Sequence, residues 1–237
     1  MTLDAYVAAA QGPRPTMEDS HVLQVAGAVA YGGVFDGHFG AEVAALAGAL
    51  YPQLARLGPR GAIRELHARS RHLRGGACAV AFEIDGDTLR VANVGDAELA
   101  LAGGGGEDVR VVTESHRLAN PDERARLHRA GAVLRPPYVI DPDTGDGLMP
   151  TRSVGDHDFA KAGVICEPHT WEGRFASGWL IAACDGLWDV LRPEELPPFL
   201  HGPAREVAER LLHEALDARS VWDNVTVLAV HKRAASA

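Results

Sequence analysis

Two apolar runs in this chain stop at the same dipeptide, and that recurrence constrains the fold more than any other feature. The first, AVAYGGVF, ends at Asp36-Gly37 and continues as His38-Phe39-Gly40; the second, Trp179 to Cys184, ends at Asp185-Gly186. A short apolar run closed by a turn signal reads as a buried strand, so each run delivers a carboxylate to a sheet edge. One Asp-Gly alone is an ordinary turn. A second at the end of a second buried strand points to carboxylates placed for use. Gly37 leaves room for a metal or phosphate to approach the main chain, and its carbonyl is a candidate oxygen ligand. His38 is close enough to handle protons at whatever Asp36 holds. Asp189 follows Asp185 by one helical turn, which would put both acids on one face.

The rest of the chain supplies a sheet-rich frame. Tyr6–Ala10 reads as a first strand and leads into Arg14-Pro15-Thr16-Met17-Glu18-Asp19, a segment that Pro13 and Pro15 keep out of helix. Arg14 there suits a phosphate dianion or, equally, a surface ion pair with Glu18. Val22–Ala26 and Ala28–Phe35 read as two strands joined near Gly27. Val43, Leu46, Ala47, Leu50 and Leu54 then fall at helical spacing, and Ile63, Leu66, Arg69 and Leu73 suggest a second, more polar helix. Strands follow at 77–84, 88–94, 98–102 and 109–113, with a loose connection through Gly103 to Gly106. Asn120-Pro121-Asp122-Glu123 opens a short helix, with Asn120 as cap and Glu123 placed for a capping box. Ala132 to Pro150 reads as a surface excursion and a place for substrate selection; its Asp141, Asp143 and Asp146 lack the spacing of a calcium loop. Pro203 to Arg219 is an amphipathic helix, and Asp223-Asn224 leads into a last strand, Val225 to Val230.

Composition narrows the function. The 237 residues, 46% hydrophobic, suffice for one domain spanning 1–237. With 23 basic against 32 acidic residues the net charge is -9, so no cationic excess favours nucleic acid. Cys78, Cys166 and Cys184 are too few and scattered for a disulfide frame or zinc cluster, and read as small buried hydrophobes. Neither a leader pattern nor a membrane-spanning run is evident, so a cytoplasmic monomer is expected.

Asp19, Asp36, Asp185 and Asp223 each stand beside an apolar strand, and four carboxylates gather only if something positive sits among them. All-oxygen ligation selects Mg²⁺ or Mn²⁺. Two such ions would lower the pKa of a shared water, Arg14 would hold phosphate oxygens, and His38 would protonate the departing alkoxide.

RPTMEDSH, VFDGHFG, VANVGDAE, TRSVGDHDF, ACDGLWDV and WDNVTVLAV, in this order, resemble the successive motifs of the PP2C-type (PPM) metal-dependent protein serine/threonine phosphatases. The resemblance runs from Arg14 to Val230. It implies an α+β fold of two antiparallel sheets packed face to face with helices outside each, a two-metal centre where the sheets meet, phosphorylated serine or threonine in proteins as substrate, and a cognate kinase system. It also implies that Asp36 bridges both ions, that Gly37 offers its carbonyl, and that Asp185 and Asp223 are direct ligands. Glu18 and Asp19 would act on the ions directly or through water, with Arg14 on the phosphate. Departures are as informative. Ser115 stands where many members carry an aspartate that, with the residues matching Asp185 and Asp189, holds a third ion; that ion is therefore in doubt unless a register slip lets Glu114 substitute. Gly95-Asp96-Ala97-Glu98 and Gly76-Ala77-Cys78-Ala79 also depart from the usual pattern, changes that remove no direct ligand and are expected to loosen the strands beneath the centre. A scaffold that keeps the fold as a binding or regulatory module, and hydrolysis of a small phosphoester, are the rival readings.

Overall fold

The structure is a computed structural model that describes residues 3–105 and 108–234, so Gly106 of the glycine run lies outside the described residues. In chain order the elements are β1 (Leu3–Ala10), β2 (Ser20–Ala26), β3 (Val29–His38), α1 (Glu42–Leu54), α2 (Gly58–Arg69), β4 (Gly76–Asp85), β5 (Thr88–Val94), β6 (Glu98–Ala102) and β7 (Arg110–Val111). After these come α3 (Pro121–Arg129), β8 (Val133–Arg135), β9 (Tyr138–Ile140), β10 (Gly147–Leu148), β11 (Val154–Gly155), β12 (His169–Arg174), β13 (Gly178–Ala183), α4 (Asp185–Trp188), α5 (Ala204–His213) and β14 (Val225–Lys232). One sheet runs β1-β14-β13-β6-β7 and the other β12-β5-β4-β3-β2, with β11 added to β4; the pairings are antiparallel.

Side-chain alternation along the strands explains why the sheets stack. Val80, Phe82 and Ile84 of β4 join Leu180, Ala182, Leu228 and Val230 in the layer between the sheets, whereas Ala77, Ala79 and Ala81 of the same strand face Ala44, Ala47, Ile63 and Leu66 of α1 and α2. Small alanines on that face let the helices sit close. On the opposite side, Trp179, Ile181, Val227 and Ala229 pack against Val207, Ala208 and Leu211 of α5. A period-2 strand buried on both faces therefore yields four layers, helix, sheet, sheet, helix, as the resemblance implies. Each large side chain in the central layer contributes about 1.5–3 kcal/mol of burial energy.

Several boundaries differ from expectation. β3 continues through Asp36 and Gly37 to His38, pairing Asp36 with Cys78, so the carboxylate sits inside the strand and not at its end. β4 runs unbroken from Gly76, the departure at Gly95-Asp96 lies in the bend between the end of β5 at Val94 and the start of β6 at Glu98, and the strand expected at 109–113 is reduced to Arg110–Val111. Asn120 caps α3 as expected, accepting from the Asp122 N–H at 3.0 Å. Glu123 does not close a capping box: it is buried, accepting from Arg126, Arg152 and the Thr151 hydroxyl. The excursion at 132–150 is a three-stranded sheet, β10-β9-β8, seated on its own cluster of Leu127, Val139, Leu148 and Phe159. The last helix ends earlier than its pattern, passing into a π-wound turn over Glu214–Ala218.

Candidate metal centre

The two Asp-Gly pairs face the same steric requirement. A Cβ on Gly37 would collide with the Glu18 carbonyl, and one on Gly186 with the Asn224 carbonyl. Each glycine is thus where another acid-bearing segment crosses the strand end. The Glu18 backbone fills the space on the side of Gly37 where a Cβ would stand, and Gly37 is also part of the lining of the cavity described next. Asn224 fixes the crossing by donating to the carbonyls of Gln11 (2.8 Å) and Thr16 (2.9 Å) and accepting from the Glu18 N–H (2.8 Å). Asp19 accepts from the Thr226 hydroxyl at 2.7 Å.

These crossings bring four of the sequence-predicted acids, Glu18, Asp36, Asp185 and Asp223, to one cavity of about 430 Å³ that Arg14 and His38 also line, with Asp19 behind the lining beside Asp36. One ligand atom each from Asp36, Asp96 and Asp185 lie within 4.8 Å of one another, as do those of Asp19, Asp36 and Cys184. Asp36 is common to both groups. The Cys184 thiol is pushed well up by burial and accepts from the Thr226 N–H at 3.2 Å, so it is a neutral neighbour and the donors are oxygens. An all-carboxylate set around a shared aspartate fits hard divalent cations. Without them, burial and then the charges of Asp185 and Asp19 push the Asp36 carboxyl well above the usual range. Burial and Asp96 raise Asp185 to about 8, and burial raises Asp19 to about 6 against the Thr226 hydrogen bond.

Two arginines enter the centre. Arg14 donates to Asp223 at 2.7 Å and to the Trp222 carbonyl at 3.1 Å; its ion-pair partner is Asp223 and not Glu18. Arg117 donates from Nε to Asp96 at 2.6 Å, from one terminal nitrogen to Asp189 at 2.7 Å and from the other to Asp185 at 2.8 Å. Asp189 does share a face with Asp185, one turn of α4 away, with its N–H on the Asp185 carbonyl at 2.8 Å. Glu114 turns to Asn120 at 2.7 Å and His169 at 3.2 Å, so no register slip brings it to Asp185 and Asp189.

His38 lies on the cavity wall with Nε2 2.7 Å from the buried Asp156 carboxylate, whose same oxygen accepts from Ser153. Burial alone would lower the imidazole, and Asp156 outweighs it, so His38 is raised. Asp156, Asp96 and Arg117 are the site residues that sequence reasoning missed. Asp96 and Asp156 each follow a glycine at the end of a strand, as VGD, which is the signal that would have found them. Nothing local marks Arg117.

The sequence model of the family "Protein phosphatase 2C" matches residues 4–224. Two rice proteins (Oryza sativa subsp. japonica), Probable protein phosphatase 2C 67 and Probable protein phosphatase 2C 59, are 31% and 33% identical over 65% and 94% of this chain, which spans 47% and 74% of their lengths. The crystal structure of serine-threonine phosphatase 2C from Toxoplasma gondii superposes with a TM-score of 0.79 at 20% identity, covering 98% of this chain and 95% of that one. The catalytic domain of the serine/threonine protein phosphatase PstP, solved in complex with two manganese ions, gives 0.65 at 19% identity, with 97% of each chain covered. With the fold, the ordered motifs and the family match in agreement, this chain belongs to the protein phosphatase 2C family.

Proposed function

We propose that the chain is a Mn²⁺- or Mg²⁺-dependent phosphatase acting on phosphoserine and phosphothreonine in proteins, within a cytoplasmic kinase–phosphatase pair, as a monomer. The observation that carries this reading is the convergence of Asp36 with Asp96, Asp185 and Asp19 beside a cavity that Arg14 and His38 also line. Asp36, Asp185, Asp223, Asp19, Glu18 and the Gly37 carbonyl would hold two ions. The chemistry the ions supply when bound is Lewis-acid activation of water and of the phosphoryl group. Arg14 binds non-bridging phosphate oxygens, exchanging its terminal nitrogen from Asp223 to the substrate. His38 gives its proton to the departing alkoxide; with Nε2 committed to Asp156, Nδ1 is the nitrogen open to the leaving group. Asp156 orients the ring and favours its charged form.

Hydrolysis of p-nitrophenyl phosphate and of a phosphothreonine peptide, in Mn²⁺ and in EDTA, tests the reading. Metal-dependent turnover absent from Asp36→Ala supports it. A wild type no faster than Asp36→Ala removes it and favours the scaffold reading, for which Arg14 and Arg117, both already paired with acids of the centre, are the supporting observation. His38→Ala should slow alkyl phosphates by about 10²-fold while largely sparing nitrophenyl phosphate; equal losses on both would remove the acid role.

A further inference from the structure

The acidic centre is lopsided. On the side of Asp19, Glu18 and Asp223 the only cation within hydrogen-bond reach among the described residues is Arg14, a half-exposed side chain on one carboxylate. On the other side Arg117, 22% exposed, bonds three carboxylates at once. Four of its N–H groups are committed: one to Asp96, one to Asp185 and two to Asp189. Asp96 and Asp185 are also two of the three members of one candidate ion group with Asp36. Both use Oδ2 on the guanidinium, which leaves Oδ1 of each for an ion. A planar fork that grips one oxygen of each carboxylate fixes where the other points.

We propose that Arg117 is a built-in cation and positioning residue of the metal centre: it occupies the space between Asp96, Asp185 and Asp189 that would otherwise take up a further divalent ion, limits the chain to two, and orients Asp185. The proposal rests on the metal-dependent reading above. It assigns the cluster's outer edge a permanent charge that neither dissociates with metal supply nor responds to chelators. The positive charge is supplied by the chain itself where Asp189 meets solvent, at 49% exposure, the position from which an ion would be lost most readily.

The test is the number of Mn²⁺ ions bound per chain, by equilibrium dialysis with elemental analysis, on wild type and Arg117→Met, alongside the Mn²⁺-induced shift in melting temperature. Two ions for wild type and three for Arg117→Met, with a larger melting shift in the variant, are expected. Three ions on the wild type, or two on both, overturn the proposal. No ion and no melting shift on the wild type instead overturns the metal reading itself. Should Arg117→Met fail to fold, Arg117→Lys carries the test: a point charge cannot grip three carboxylates, so the dissociation constant for Mn²⁺ should rise about tenfold, and an unchanged constant overturns the positioning role.

Discussion

The buried carboxylate of Glu123 and the partly buried acids around Asp36 have opposite electrostatics. At Glu123, burial pushes the carboxyl up, but hydrogen bonds from Arg126, Arg152 and Thr151 outweigh it and hold the group down at about 2. At Asp36, burial acts in the same direction and the nearest charges are other carboxylates, so nothing offsets it. The first cluster joins α3 to the segment before β11 and is complete as it stands. In the second, among the described residues, Arg14 pairs with Asp223 and Arg117 with Asp96, Asp185 and Asp189, and on the proposed reading divalent cations complete the rest. A carboxylate already neutralised by its own fold serves structure; one left uncompensated at a cavity is reserved for a ligand.

The sharpest way to break this contrast is to neutralise one acid in each cluster. Asp36→Asn should lower Mn²⁺-dependent turnover on the order of 10³-fold, by loss of several kcal/mol of metal-borne stabilisation. The metal-free variant should melt no lower than wild type, and a relief of about 1 kcal/mol would raise its midpoint by roughly 2–4 °C. A drop in metal-free stability would mean that Asp36 is held as Glu123 is, and the contrast would fail. Glu123→Gln should do the reverse, costing about 3 kcal/mol in urea unfolding because two arginines lose their anion, while leaving Mn²⁺ affinity within about twofold of wild type.

How far these clusters were legible in the sequence follows from the range over which each is built. Asp36 and Asp185 announce themselves because a single strand and a single glycine carry the signal. The face-to-face sheets were legible only through the ordered motifs and the family they resemble, since the apolar runs by themselves gave buried strands and no stacking order. Glu123 was misread because the capping-box pattern is local, whereas its partner Arg152 comes from 29 residues away. The sheet at 132–150 was hidden by the prolines and glycines that separate its short strands, and Val139 and Leu148 reveal their burial only against Phe159. Arg117 reaches Asp185 over a separation of 68 residues, and no spacing rule connects them.

The smallest expected effect separates the two clusters by the sign of their pH dependence. A carboxyl raised in the folded state binds protons there before the unfolded chain does, so its contribution to stability grows as pH falls toward and below its folded value. With Asp185 at about 8, its proton uptake should make metal-free protein in EDTA more stable by about 2 kcal/mol between pH 8.5 and 6.5. Glu123, held at about 2, contributes the opposite slope, losing stability only as pH falls from about 4.5 toward 2. The partly buried His67 and the buried His116 are held at about 4, by burial first; they stay neutral in the folded protein and oppose this slope by only about 0.4 kcal/mol each at pH 6.5, where the unfolded imidazoles are half charged. Mn²⁺ replaces the protons and should flatten the slope, as should Asp185→Asn, whereas Glu123→Gln should leave it intact. Urea midpoints at the two pH values, with and without Mn²⁺, decide it: an identical slope in both conditions would mean that the carboxylates beside Asp36 already have their counter-charge, and the division between the two clusters would be lost.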